Sequence, residues 1–196
     1  MKSIPKIFAL MCIACICCQA QPGNIPAIEV QIAGAEMAAP EEMRSSAQVL
    51  GYDQSGNFVE LRPGTNEMVC VADDPNTEGF SSACYHKNME PFMTRGRELR
   101  AEGIDGQDLF DQREQEAKSG KLKMPQTPST LHVLTGNGFS LDSLAVIDPY
   151  YRYVVYIPFA TAESTGLPTQ PRAPGEPWIM DPGTHRAHIM ISPPRK

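Results

Sequence analysis

The chain has 196 residues, 41% of them hydrophobic and 20% charged, with a formal net charge of −6. That is ordinary globular composition, and an acidic chain without a basic run is unsuited to nucleic-acid phosphates. Proline (18) and glycine (15) are plentiful, which predicts ordered loops and extended segments, above all after residue 120.

Residues 1–20, MKSIPKIFALMCIACICCQA, begin with Lys2 and Lys6, run apolar from Ile7 to Cys18 and close on Ala20. This is the pattern of a secretory signal peptide cut after Ala20, leaving residues 21–196 as a single domain exported to the periplasm or cell surface. The apolar run is too short to cross a bilayer as a helix, so the mature chain is expected to have no transmembrane helix. Cys12, Cys15, Cys17 and Cys18 fall inside this run and read as small hydrophobes. Lipid anchoring at Cys15 is the lesser alternative, because Cys12 stands where a lipoprotein box usually has leucine. Cys70 and Cys84 remain. In an oxidising compartment they pair, closing a loop of about 15 residues worth roughly 3 kcal/mol in the chain-entropy treatment. Zinc ligation is the alternative for this pair, and the lack of a C-x-x-C spacing speaks against it.

After the leader, Ile28, Ile32, Ala35 and Met37 mark a helical face, while the alternation of Ile28, Val30 and Ile32 fits an edge strand equally well. Pro40 with Glu41 and Glu42 reads as the first turn of a helix. Residues 48–52, 57–62 and 67–71 are three short alternating strands separated by turn signals, an expected antiparallel meander. The stretch from Gly64 to Glu90 then reads as a strand, a disulfide-closed loop and the start of a helix. Asn88 is the expected cap of that helix, with Met89, Phe92, Met93 and Leu99 on its apolar face and Gly103 as its stop. A more polar helix over residues 108–118 has Asp105 as cap, Gly120 as stop and a charged face turned to solvent. Residues 131–134 form a strand ended by Gly136-Asn137-Gly138. Residues 150–159, YYRYVVYIPF, are the strongest β segment. A Pro/Gly/Thr loop follows, and residues 178–180 pair with residues 187–192 as a hairpin.

Two pieces resemble a group of uncharacterised exported bacterial proteins. One is Ala38 to Pro75, carrying VLGYDQSG, LRPGTN and DDP, and the other is PWIMDPGTHRAHIMI, residues 177–191. The resemblance implies export and a compact domain. It implies no reaction, ligand or catalytic residue.

No nucleophile elbow, phosphate loop, dinucleotide fingerprint or H-E-x-x-H is present, and no cofactor is indicated. His185 and His188 are three apart, so on a regular strand they face opposite ways and cannot share an ion unless a turn bends there. His86 and Glu90 are four apart and would complete a metal site only with a histidine from elsewhere, such as His188. Asp73, Asp74, Asn76 and Glu78 lack the EF-hand spacing and read as a solvated turn. Trp178 and the cluster from Tyr150 to Tyr156 either line a cleft or pack the sheet. The expected protein is an exported α+β domain, with an antiparallel sheet, about two helices on one side and one disulfide. Its expected function is non-catalytic binding of an unidentified ligand or cell-envelope partner, with Trp178, Tyr153 and His188 as candidate contacts. The alternative is a metal-assisted hydrolase using His86, Glu90 and His188.

Overall fold

The computed structural model describes residues 25–195, so the expected leader and its four cysteines lie outside the described residues. The first elements are α1 (Ile28–Glu36) and the single turn α2 (Glu41–Arg44). The helix prevails over an edge strand at residues 28–32, where the Gln31 side chain is buried and donates to the carbonyls of Pro26 and Tyr52. Four strands follow, β1 (Gln48–Tyr52), β2 (Phe58–Arg62), β3 (Met68–Val71) and β4 (Phe80–His86). The chain then coils into α3 (Glu90–Ala101) and α4 (Gly106–Lys118). The rest comprises β5 (Ser129–Gly136), β6 (Gly138–Ser140), β7 (Ala145–Ile147), β8 (Tyr150–Tyr156), the short α5 (Ala162–Thr165), β9 (Trp178–Met180) and β10 (His188–Ile191).

Among the described residues the class is α+β, built on an eight-stranded sheet ordered β2-β1-β3-β4-β5-β8-β10-β9, with β6 and β7 as a small second sheet. Pairing is antiparallel throughout except between β1 and β3, which run parallel. The expected meander is therefore corrected. After β2 the chain crosses the start of β1 and lays β3 on its far side, with Gln48 opposite Val69.

The LRPGTN stretch makes that crossing. A Cβ on Gly64 would lie 2.3 Å from the Gln48 backbone nitrogen, so only a residue without a side chain passes there. Asn66 accepts from the Met68 N–H at 2.9 Å and donates to the Met43 carbonyl at 2.8 Å. Arg62 pairs with Glu36 at 2.9 Å and donates to the Arg44 carbonyl at 2.6 Å, fastening both opening helices to the edge strand.

The larger correction concerns β4. Residues 80–86 are not loop but a central strand, paired with β3 on one side and β5 on the other. Cys70 and Cys84 stand directly opposite each other in the β3–β4 register and are bonded, with Cα atoms 4.0 Å apart. The bond thus joins two neighbouring strands, not the ends of an irregular loop.

Alternation divides the core between the two faces of the sheet. On one face Met68, Cys70, Phe80, Cys84 and Leu134 pack with Ala35 of α1. On the other Val69, Tyr85, Val154 and Tyr156 pack with Met89 and with Phe92 of α3, and Ala117 of α4 joins them. Helices α3 and α4 share one side as expected, and α1 adds a layer on the opposite side. Asn88 is not the cap of α3. The His86 Nδ1 accepts from the Asn88 N–H at 3.2 Å, while the Asn88 side chain donates to Ser129 Oγ at 2.7 Å. Asp105 makes no side-chain capping bond to α4.

Candidate functional site

The expected hydrolase set does not assemble. His188 pairs with Tyr156 and stacks on its ring, on the face of the sheet that carries α3 and α4. His86 pairs with Met68, which belongs to the opposite face. Their strands are three neighbours apart in the sheet, a separation of roughly 14 Å before the difference in face is added. Glu90 is occupied elsewhere, accepting from the Tyr85 hydroxyl at 2.6 Å and from Arg97 Nη2 at 2.5 Å. Among the described residues no three His, Cys, Asp or Glu side chains converge as metal ligands.

The aromatic set is divided too. Trp178 lies opposite Met190, on the same face as His188, whereas Tyr153 lies opposite Ile191 and packs its ring against His132 on the other face. Trp178 and His188 are two residues along adjacent strands, and Tyr153 does not join them. The acidic turn closes on itself, with Asp74 Oδ1 accepting from the Asn76 N–H at 2.9 Å and Asp73 Oδ1 from the Ser81 N–H at 2.8 Å.

An open groove lies at the other end of the sheet. It encloses about 930 Å³ between the C-terminal half of α3 and strands β1 to β4. Val71 and Ala83 form part of its floor, and Tyr52 and Phe58 form an aromatic wall. These two rings face each other across the β1–β2 hairpin with centroids 5.4 Å apart and planes at 76°. Phe58 remains 37% exposed, a large apolar side chain with one side unburied. The Arg97 guanidinium lies 5.3 Å over it.

Arg97 is rigidly placed. It donates to the Tyr85 hydroxyl at 3.1 Å and to Thr94 Oγ1 at 2.8 Å, besides its bond to Glu90. Burial pushes the Tyr85 hydroxyl pKa well up, keeping it a hydrogen-bond donor to Glu90. Burial and then the charges of Asp74 and Asp73 likewise push the Tyr52 hydroxyl up. The groove therefore offers a preorganised cation on a ring, a neutral phenol and an apolar floor. Its volume falls in the range of small-molecule sites.

A second cluster sits beneath the C-terminal motif, at residues 181–187. His185 is wholly buried, and Glu114 Oε2 takes both its backbone N–H at 2.7 Å and its Nδ1 at 2.5 Å. Burial opposes the Glu114 charge, yet the Lys118 ammonium and the two His185 groups hold its carboxyl below the ordinary range. Burial also lowers the His185 pKa, so the ring is neutral, with Nδ1–H donating to the carboxylate and Nε2 left as acceptor. Nε2 has no hydrogen-bonding partner among the described residues, and the rings of Phe92 and Phe110 lie against the imidazole. With no hydroxyl or thiol at Nε2, the pair fastens the 181–187 loop to α4 rather than activating a nucleophile.

No protein-family model, curated protein or solved structure matches the chain.

Sequence reasoning missed Tyr52, Phe58 and Arg97 as a group, and Glu114 with His185. One signal for the first was available. Tyr52 and Phe58 flank the turn at residues 53–57 symmetrically, which on a hairpin makes them a cross-strand aromatic pair. Nothing local marks Glu114, which lies 71 residues from His185 and reads as one acid in a charged helix.

Proposed function

We propose that the protein is an exported, non-catalytic binding protein, periplasmic or surface-associated, whose ligand lies in the groove between α3 and strands β1 to β4. The observation that carries this reading is the half-exposed Phe58, walled by Tyr52 and roofed by an Arg97 that Glu90 and Tyr85 hold in place. Immobilised donors beside an exposed aromatic surface bind without large ordering costs. The chemistry matches a small ligand with a planar or apolar part and a polar group.

Export is supported by the leader pattern, by the Cys70–Cys84 bond and by the resemblance of both motif stretches to exported proteins. No helix among the described residues is long and apolar enough to cross a membrane. No observation favours the metal-assisted hydrolase, whose three residues are spread over two faces of the sheet.

Native mass spectrometry of protein recovered after export by its own leader tests the reading. A co-purifying small molecule is expected, lost in Phe58→Ala and Tyr52→Ala and retained in Trp178→Ala. Retention in both groove variants would sink the proposal.

A further inference from the structure

Arg113 of α4 is only 6% exposed, yet it takes part in no ion pair among the described residues. Among the described residues its one hydrogen bond is a long one, 3.4 Å from Nη1 to the Phe92 carbonyl, and its Nε finds no acceptor. The guanidinium lies over the Phe92 ring, 4.2 Å from the centroid. Of the four carboxylates on the same helix, Glu114 serves His185 and Lys118, Glu116 serves Arg95 and Lys121, Asp111 accepts from Gln107, and Asp108 is exposed and forms no ion pair with Arg113 among the described residues.

The neighbouring charges have the same sign. Burial acts most strongly against the Arg113 charge, the Tyr156 hydroxyl favours it, and Arg100 of α3 and Arg186 of the 181–187 loop oppose it, Arg186 being itself paired with Asp181 at 2.7 Å. Gly96, in the middle of α3, shows how close the two helical arginines come. A Cβ there would lie 3.0 Å from Arg113 Nη1 and 3.6 Å from Arg100 Nη1. A mid-helix glycine is unfavourable in itself, and here it leaves the space that both guanidinium groups use.

A guanidinium does not escape burial by losing its proton near neutral pH. Burial without a counter-charge is costly, and a second cation beside it raises that cost. Arg100 Nη1 donates to the Gly96 carbonyl at 3.3 Å and Arg113 Nη1 to the Phe92 carbonyl, so each guanidinium keeps donors beyond its one backbone bond, and two such cations side by side suit an oxyanion.

We propose that Arg113 and Arg100 form a binding site for a small oxyanion, a carboxylate or phosphate group, seated over Gly96 between α3 and α4. Arg113 is the anchor, and Arg100, exposed at the helix surface, is the second donor. The Phe92 ring lies against the Arg113 guanidinium. The site is argued independently of the ligand in the groove.

Thermal denaturation in sodium acetate and in sodium phosphate, at ionic strength matched with sodium chloride, tests it. Wild-type protein is expected to show a saturable rise in Tm with one of the two, and which one identifies the oxyanion. In Arg113→Met the rise is absent, while Tm in chloride alone equals or exceeds that of wild type because a buried unpaired charge has been removed. Arg100→Gln, at an exposed position that does not threaten folding, weakens the half-saturating concentration by roughly tenfold. No saturable response to either anion in wild type would overturn the site, as would an equal response in Arg100→Gln. Because Arg100 also rims the groove, Phe58→Ala separates the two readings. It removes the groove ligand and leaves the anion response unchanged.

Discussion

Single residues decide where the chain is allowed to pass. Gly64 permits the crossing over β1, since a Cβ there would meet the Gln48 backbone at 2.3 Å. Gly64→Ala is therefore expected to destabilise by about 1–3 kcal/mol, the range for an overpacked site with no flexible neighbour to yield, measurable as a lower midpoint in urea. Histidines set the response to acid. Burial lowers the pKa of His132, His185 and His188. The unfolded chain thus takes up protons first as pH falls. Their contribution to stability is complete above about pH 6.5 and is lost as pH drops from there toward the folded values. Tm should fall from pH 7 to pH 5, and His132→Gln should flatten that slope; an unchanged slope would show that His132 is not shifted. Glu116 acts in a lower window. Its hydrogen bonds to Arg95 hold its pKa down to about 2, so the stability it contributes is present above its ordinary carboxylate range and lost below it. Of these residues only the types, glycine and histidine, were legible in the sequence. The crossing partner of Gly64 and the surroundings of each ring came only with the pairing of distant strands.

At the level of elements, legibility followed the strength of the local pattern. Strands β1, β2, β3 and β8 alternate or carry β-branched and aromatic residues and were read in place, except that β8 stops at Tyr156, ahead of Pro158, and not at Phe159. Helices α3 and α4 stop at Gly103 and Gly120, both in left-handed backbone, where the stop signals predicted. Strand β4 was missed because FSSACYH holds two serines and an alanine where a strand signal needs bulk. Its serines and alanine are tolerated since β3 and β5 flank it on both sides, and pairing supplies what propensity does not. The disulfide therefore fastens two strands deep in the sheet. Replacing both cysteines with alanine should cost about 2–4 kcal/mol, read from urea unfolding, and dithiothreitol should lower the wild-type midpoint while leaving the double variant unmoved. A reductant-insensitive wild type would mean that the bond does not form.

The described residues are organised on one eight-stranded sheet whose two faces are covered unevenly. Helix α1 and the β6–β7 sheet cover one face, and α3 with α4 cover the other. Helix α3 leaves strands β1 to β4 partly uncovered at its C-terminal half, and the groove is that uncovered portion. Hydrogen exchange should follow the same order. Amides of β3, β4 and β5, paired on both sides in the middle of the sheet, should be the slowest, and those of the edge strands β2 and β9 the fastest. Fast exchange in β4 would contradict its place as a central strand and restore the loop.

The sequence by itself determined the class of the protein: most of the strands and both longer helices, their stops, and one possible pairing of the two cysteines outside the expected leader. These rest on alternation, spacing and turn chemistry, all readable within a few residues. Only the tertiary structure decided that β3 runs parallel to β1, that β4 is a strand, and that Trp178 and Tyr153 face apart. It alone placed Phe58 under Arg97, Glu114 against His185, and Arg113 beside Arg100. Those meetings depend on which strand pairs with which and which face a helix covers. Pairing is a balance over the whole chain, and no short stretch of sequence carries it.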